Sequence, residues 1–255
     1  MPSPPPGSRL GHLLQRECLA AVEALATADR DAHAGVHEAR KAIRRARSLL
    51  ALVARELDVQ AADRILRRAG ASLGALRDAR AVALTADRLA RPRDDATWSL
   101  AAATLQARAD RLARRELAVD PRFARRRRAI QRAARLLRDL PWADVRSADI
   151  RTGVVRQARR AERAGRRADR HPDPDNLHRW RRRVRRLRMQ VDALDALRID
   201  VPAHDPGASR RLHRLSDALG ARQDLAVLEE TLRRLRALDG RRELLAQLQA
   251  QPRST

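Results

Sequence analysis

A single cysteine, Cys18, in 255 residues excludes an internal disulfide and a thiolate metal cluster. Aromatic residues are nearly as scarce, with three Trp, one Phe and no Tyr, so no aromatic platform exists on which single-stranded bases could stack. A strand-rich fold is excluded as well. Strands draw on β-branched and aromatic residues, whereas this chain is built from Ala, Leu and Arg. No run approaches the roughly eighteen uncharged apolar residues of a membrane span, and residues 1–10 lack the apolar core of a secretory signal. Also missing are a glycine-rich phosphate loop, paired carboxylates in an apolar setting and a Ser or Cys beside a base. The expectation is a soluble, cytoplasmic, all-α protein that is not an enzyme and holds no metal or cofactor.

What the chain has is positive charge. Lys and Arg total 56 against 32 Asp and Glu, for a net charge of +24, and Lys41 is the only lysine. Hydrophobic residues make up 44% of the chain, enough for a core. A compact body this basic repels itself unless an anion neutralises it, so the expected partners are polyanions: polyphosphate, nucleic acid or an anionic membrane surface. Scarce lysine with abundant Ala, Gly and Pro is also what a GC-rich genome yields. The net charge, spread over both halves, therefore carries the argument.

Residues 1–8 read as a disordered Pro-rich leader. Helical periodicity then covers about 10–28, a helix opened by Gly35, and a third from about Ala61 weakened by Gly70 and Gly74. Asp94 is placed to cap a helix through Glu116, and Asp120-Pro121 restarts the chain toward Asp139. In the second half, a basic helix from Ala148 ends at His171, and Asp175 or Asn176 can cap the next one. A loop follows over 202–207, with helices near 208–220, 223–238 and 241–249.

This order is an internal repeat, with halves at about 9–140 and 146–251. Placing His37 over His178 pairs Arg40 with Arg181, Lys41 with Arg182, Arg44 with Arg185, Arg45 with Arg186 and Arg47 with Arg188; every identity in this block is His or Arg. Leu73-Gly74-Ala75 pairs with Leu219-Gly220-Ala221, and Asp78 with Asp224. At about 100° per residue, His37, Arg40, Lys41, Arg44 and Arg47 share one face, opposite Ala42, Ala46, Leu49, Leu50 and Val53. His178, Arg181, Arg182, Arg185 and Arg188 build the same row, with Arg45 and Arg186 at the rim. Stacked arginines repel one another, and no interleaved Glu relieves that face. The pattern makes sense if a polyanion lies along it.

These residues resemble the CHAD domain, the conserved-histidine α-helical domain. Its hallmark is similar to Val36-His37-Glu38-x-Arg40-x-x-x-Arg44-Arg45-x-Arg47, repeated from Leu177-His178. Its second signature resembles Leu73-Gly74-x-x-Arg77-Asp78 and Leu219-Gly220-x-x-Gln223-Asp224, and Asp120-Pro121-Arg122-Phe123 resembles its mid-domain turn. The resemblance covers about residues 8–250. It implies two pseudo-symmetric helical bundles around a central basic channel that binds inorganic polyphosphate without catalysis, in a stand-alone member that localises to the cytoplasm or to polyphosphate granules. Arg179 and Gln223 depart from the first-half pattern at Glu38 and Arg77.

The histidines could suggest a metal, since His33 and His37 are four apart. Gly35 lies between them, His33 is expected to precede the helix, and a divalent ion among guanidinium groups is electrostatically poor. His37 and His178 are better read as hydrogen-bond donors to phosphate. His213, aligned with Arg67, is expected to face the same channel. Asp78 and Asp224 are expected to pair with arginines of the basic helices. Non-specific nucleic-acid binding is the alternative function, because any phosphate chain suits an arginine groove, but the rows are too dense and uniform to read sequence. No membrane partner is expected, because the apolar faces are needed for the core.

Overall fold

The computed structural model describes residues 4–91, 95–199, 206–235 and 238–250, and every regular element among them is helical. Helix α1 (Pro6–Ala26) starts with proline at its first position, where the missing N–H costs nothing. Residues 6–8, expected in the leader, are therefore helical. Helix α2 (Ala32–Val53) is capped by Asp31, whose Oδ1 accepts from the backbone N–H groups of His33 and Ala34 at 2.9 Å each. His33 thus lies inside the first turn, and Gly35 sits within the helix instead of opening it.

The expected third helix is two: α3 (Gln60–Ser72) and α4 (Gly74–Ala90), broken at Leu73. Helix α5 (Ala96–Val119) is capped by Asp95, which accepts from Thr97 and Trp98; Asp94, the expected cap, lies outside the described residues. Buried Asp120 leads into a 3₁₀ turn, Pro121–Phe123, in which Arg122 and Phe123 both have φ of 50°. A bulky residue with positive φ is strained, and the fully buried Phe123 ring offsets that cost.

Helix α6 (Ala124–Arg138) follows, then a short turn at Trp142–Asp144 and α7 (Ser147–Arg170). Helix α8 (Pro174–Ala196) is capped by Asp173, which accepts from Asn176 N–H at 2.8 Å, and not by Asp175 or Asn176. Pro174 is helical, so the cap must precede it. Helix α9 (Pro206–Arg234) runs unbroken through Gly220, where two helices were expected. A lone glycine costs about 1 kcal/mol in a helix, and no proline or rival cap adds to it here. Of the expected loop over 202–207, residues 202–205 lie outside the described residues, and Pro206 and Gly207 belong to α9. Helix α10 (Arg241–Ala250) comes last.

Two compact units result: Met1–Ser72 with Arg122–Asp217, and Leu73–Pro121 with Ala218–Thr255. Each draws a segment from both sequence repeats. In the first, α2 packs against α1, α3, α7 and α8, and α6 packs against α1 and α3. In the second, Val82, Ala86, Trp98, Leu105, Leu228, Leu232 and Leu244 form a buried cluster contributed by α4, α5, α9 and α10. Trp98 is fully buried, and its indole N–H donates to Gln247 Oε1 at 2.6 Å. That bond satisfies the one polar atom of the largest side chain in this core.

Candidate functional site

The two basic rows lie on α2 and α8, which pack against each other inside the first unit. Their crossing is held by side chains that capture α2 carbonyls. Gln190 of α8 donates to Ser48 O at 2.7 Å, Gln157 of α7 to Ala51 O at 3.1 Å, and Arg156 to Leu52 O at 2.9 Å. The Ala51 and Leu52 carbonyls belong to the last turn of α2 and have no partner within the helix. Gly153 lets α7 approach this point, since a Cβ there would run into the Leu52 carbonyl.

On α2, His37 is exposed and Arg40, Lys41, Arg44 and Arg47 are half-buried. Arg40 donates to the Gly70 carbonyl of α3. Lys41 Nζ lies 3.0 Å from Glu38 Oε1, and its hydrogen bond holds the Glu38 carboxyl below the usual carboxylate range. Arg47 grips Asp63 of α3 with two bonds, Nε to Oδ1 at 2.7 Å and Nη2 to Oδ2 at 3.2 Å. Arg45 leaves the row toward α1, where its Nε donates to Glu17 at 2.8 Å.

On α8, His178 and Arg182 are exposed, and Arg181, Arg185 and Arg188 are half-buried. Arg188 lies 3.4 Å from Asp217 of α9. The last arginine of each row therefore meets an aspartate from another helix, Asp63 in one case and Asp217 in the other. Arg186, expected at the rim, is half-buried. Burial, then the nearby Arg183, Arg47 and Arg160 charges, push its pKa down to about 10, with Asp63 opposing them. Burial also lowers Arg183, helped by Arg160, Arg182 and Arg179. A cation-rich seam thus runs among α2, α7 and α8, with Asp63 as an anion inside it.

The rows expected to lack carboxylates meet them from neighbouring helices, Asp63 of α3 at Arg47 and Asp217 of α9 at Arg188, while Glu17 of α1 holds Arg45. His213 bonds Asp192 Oδ1 through Nε2 at 3.0 Å, and Arg67 is exposed on α3. Asp78 pairs with Arg77 at 2.9 Å, within α4 and not with a basic helix, and Asp224 lies 3.9 Å from Arg88. Among the described residues no group of three or more His, Cys, Asp or Glu side chains is arranged for a metal ion. Sequence reasoning passed over Gln157 and Gln190. The available signal was a polar amide on the apolar side of each basic helix, which in a buried setting demands a partner.

Chemically, the arrangement offers closely spaced guanidinium groups, several already facing one carboxylate, which an anion of higher charge density could displace. Among the described residues no helix is long and apolar enough to cross a membrane. No curated protein matches the chain. The crystal structure of the CHAD domain from the plant Ricinus communis is similar, with a TM-score of 0.69 at 22% identity, covering 97% of this chain and 86% of that one. A family model described as the CHAD domain matches residues 13–252, a span that includes both basic rows; the chain belongs to the CHAD domain family.

Proposed function

We propose that the protein binds inorganic polyphosphate, with no catalytic step, along a basic channel lined by the duplicated rows of its two pseudo-symmetric halves. His37, Arg40, Lys41, Arg44 and Arg47 contact the chain from α2, and His178, Arg181, Arg182, Arg185 and Arg188 from α8. One observation carries the reading: two matching His/Arg rows, from distant parts of the sequence, sit on helices packed against each other within one compact unit. Repulsion between such rows needs an anion to offset it. Arg186, Arg183 and Arg160 raise the local potential from behind the rows, and Arg67 and His213 extend it.

Six or more phosphate contacts would make affinity fall about 300-fold or more between about 50 and 200 mM salt, by analogy with single-stranded nucleic acid. Nucleic acid shares that dependence, so competition is the deciding test. Labelled long-chain polyphosphate, at about 150 mM salt where exposed charges more than about 8 Å apart are screened, is displaced with unlabelled polyphosphate, single-stranded DNA or duplex DNA matched in total phosphate. Polyphosphate should compete better by orders of magnitude. Equal competition by DNA would mean a general polyanion binder and would sink the specific reading.

A further inference from the structure

Helix α6 is the only described helix without a carboxylate, and seven of its 15 residues are arginine. Its apolar side, Ile130, Ala133, Ala134 and Leu137, is buried where the helix packs on α1 and α3. Arg126 is engaged locally, with its guanidinium 5.2 Å from the Phe123 ring centroid and its Nε donating to Ser72 at 3.2 Å. Arg138 is exposed at the end of the helix, and so are Arg125, Arg128, Arg132 and Arg135 along it. These four fall within an arc of about 80° along roughly 15 Å of helix, a third basic row, carried by a helix that packs on α1 and α3.

These charges repel one another at i, i+3 and i+4 spacing. Arg125 and Arg128 also stand near the positive end of the helix dipole, where cations are disfavoured. No acidic residue of the helix relieves either effect. We infer that the outer face of α6 is a second docking surface for a phosphate chain, occupied by inorganic polyphosphate, and that the protein is bivalent for this ligand. The surface is argued from its charge, and the choice of occupant rests on the function proposed above. The row carries no aromatic side chain on which a base could stack, and a long chain seated on α2 and α8 has phosphates to spare. Bivalency makes a long chain a cross-linker, because a second site on another molecule engages the same polymer at high effective concentration.

The test uses the full chain with two double variants, Arg128→Glu/Arg132→Glu and Arg44→Glu/Arg185→Glu, checked for unchanged helicity by circular dichroism. Arg128→Gln/Arg132→Gln stands in if charge reversal unfolds α6. Stoichiometry and light scattering are read with long-chain polyphosphate, short-chain polyphosphate and duplex DNA. Wild type should scatter with the long chain only. The α6 variant should keep tight binding, lose scattering and take up fewer phosphates per protein. The variant of the α2 and α8 rows should retain a weak class whose affinity falls about 50-fold between about 50 and 200 mM salt, as four contacts imply with the single-strand coefficient.

An α6 variant that scatters and saturates like wild type overturns the inference, as does a row variant that retains no binding. Loss of duplex DNA binding alone in the α6 variant would assign the surface to nucleic acid and overturn it too. If the row variant binds like wild type while the α6 variant does not, the function proposed for α2 and α8 falls and the α6 surface stands.

Discussion

Asp63→Asn separates the two roles a carboxylate can have inside a phosphate site. Asp63 holds Arg47 by two bonds of 2.7 and 3.2 Å, and it opposes the Arg183, Arg47 and Arg160 charges around Arg186. The Arg47 and Asp63 side chains are 25% and 36% exposed. The pair therefore lies between a surface bridge, worth about 0–1 kcal/mol, and a buried one, whose breaking costs about 3–5 kcal/mol. Asn keeps one acceptor, so the loss should be about 1–2 kcal/mol. That lowers Tm by roughly 2–8 °C for a chain of this size.

The same change removes the competitor that a phosphate must displace. Polyphosphate should then bind about tenfold more tightly, a gain of about 1.4 kcal/mol. Because a ligand stabilises the state it binds, the Tm difference should shrink toward zero as polyphosphate saturates both proteins. Differential scanning fluorimetry across a polyphosphate titration reads both effects at once. Weaker binding by Asp63→Asn at unchanged Tm would refute the reasoning. Asp63 would then be an orienting partner that the site requires, and the carboxylate would not compete with the ligand.

Other outcomes follow from the same geometry. Arg44→Glu with Arg185→Glu should remove tight polyphosphate binding and leave the helical circular dichroism spectrum unchanged; unfolding would instead make these arginines structural. Gly153→Ala should destabilise by about 1–3 kcal/mol, because an added methyl overpacks the α7–α2 crossing at Leu52; denaturant titration measures it, and a neutral result would mean the crossing is loose. Burial pushes the Cys18 thiol up to about 12 from 9.0. The folded protein should resist thiol-labelling reagents at pH 8 until denatured, and fast labelling of native protein would contradict the burial. Between about pH 9 and 10 the unfolded chain loses this proton and the folded one keeps it, so Cys18 makes stability fall with rising pH by at most about 1.4 kcal/mol per unit. Equilibrium unfolding of wild type and Cys18→Ala over that window tests it, with the decline absent in the variant.

What could be read from the residues themselves was whatever depends on near neighbours in the chain. Helix periodicity, the stops at Asp120-Pro121 and at Pro172, and the amphipathic division of α2 and α8 all follow from 3.6-residue spacing and from proline and capping chemistry within a turn. The matching rows from His37 and His178 were visible because a duplicated charge pattern is itself a sequence property, and the family followed from it. Boundaries were less secure where two caps compete within a few residues, as with Asp94 and Asp95, or Asp173 and Asp175. Nor did the Leu-Gly-Ala motif announce that it breaks the helix at Leu73 but not at Gly220.

Tertiary structure decided what depends on residues far apart. It drew segments from both repeats into each compact unit and brought α2 and α8 together. It supplied Glu17, Asp63 and Asp217 as partners for arginines that the helical wheel left bare. It also set the half-buried Arg186 among Arg183, Arg47 and Arg160, and Gln157 and Gln190 against the end of α2. The reason is physical. Periodicity tells which face of a helix is polar, but a guanidinium's partner and desolvation depend on which other helix packs there, and packing is settled by the whole fold.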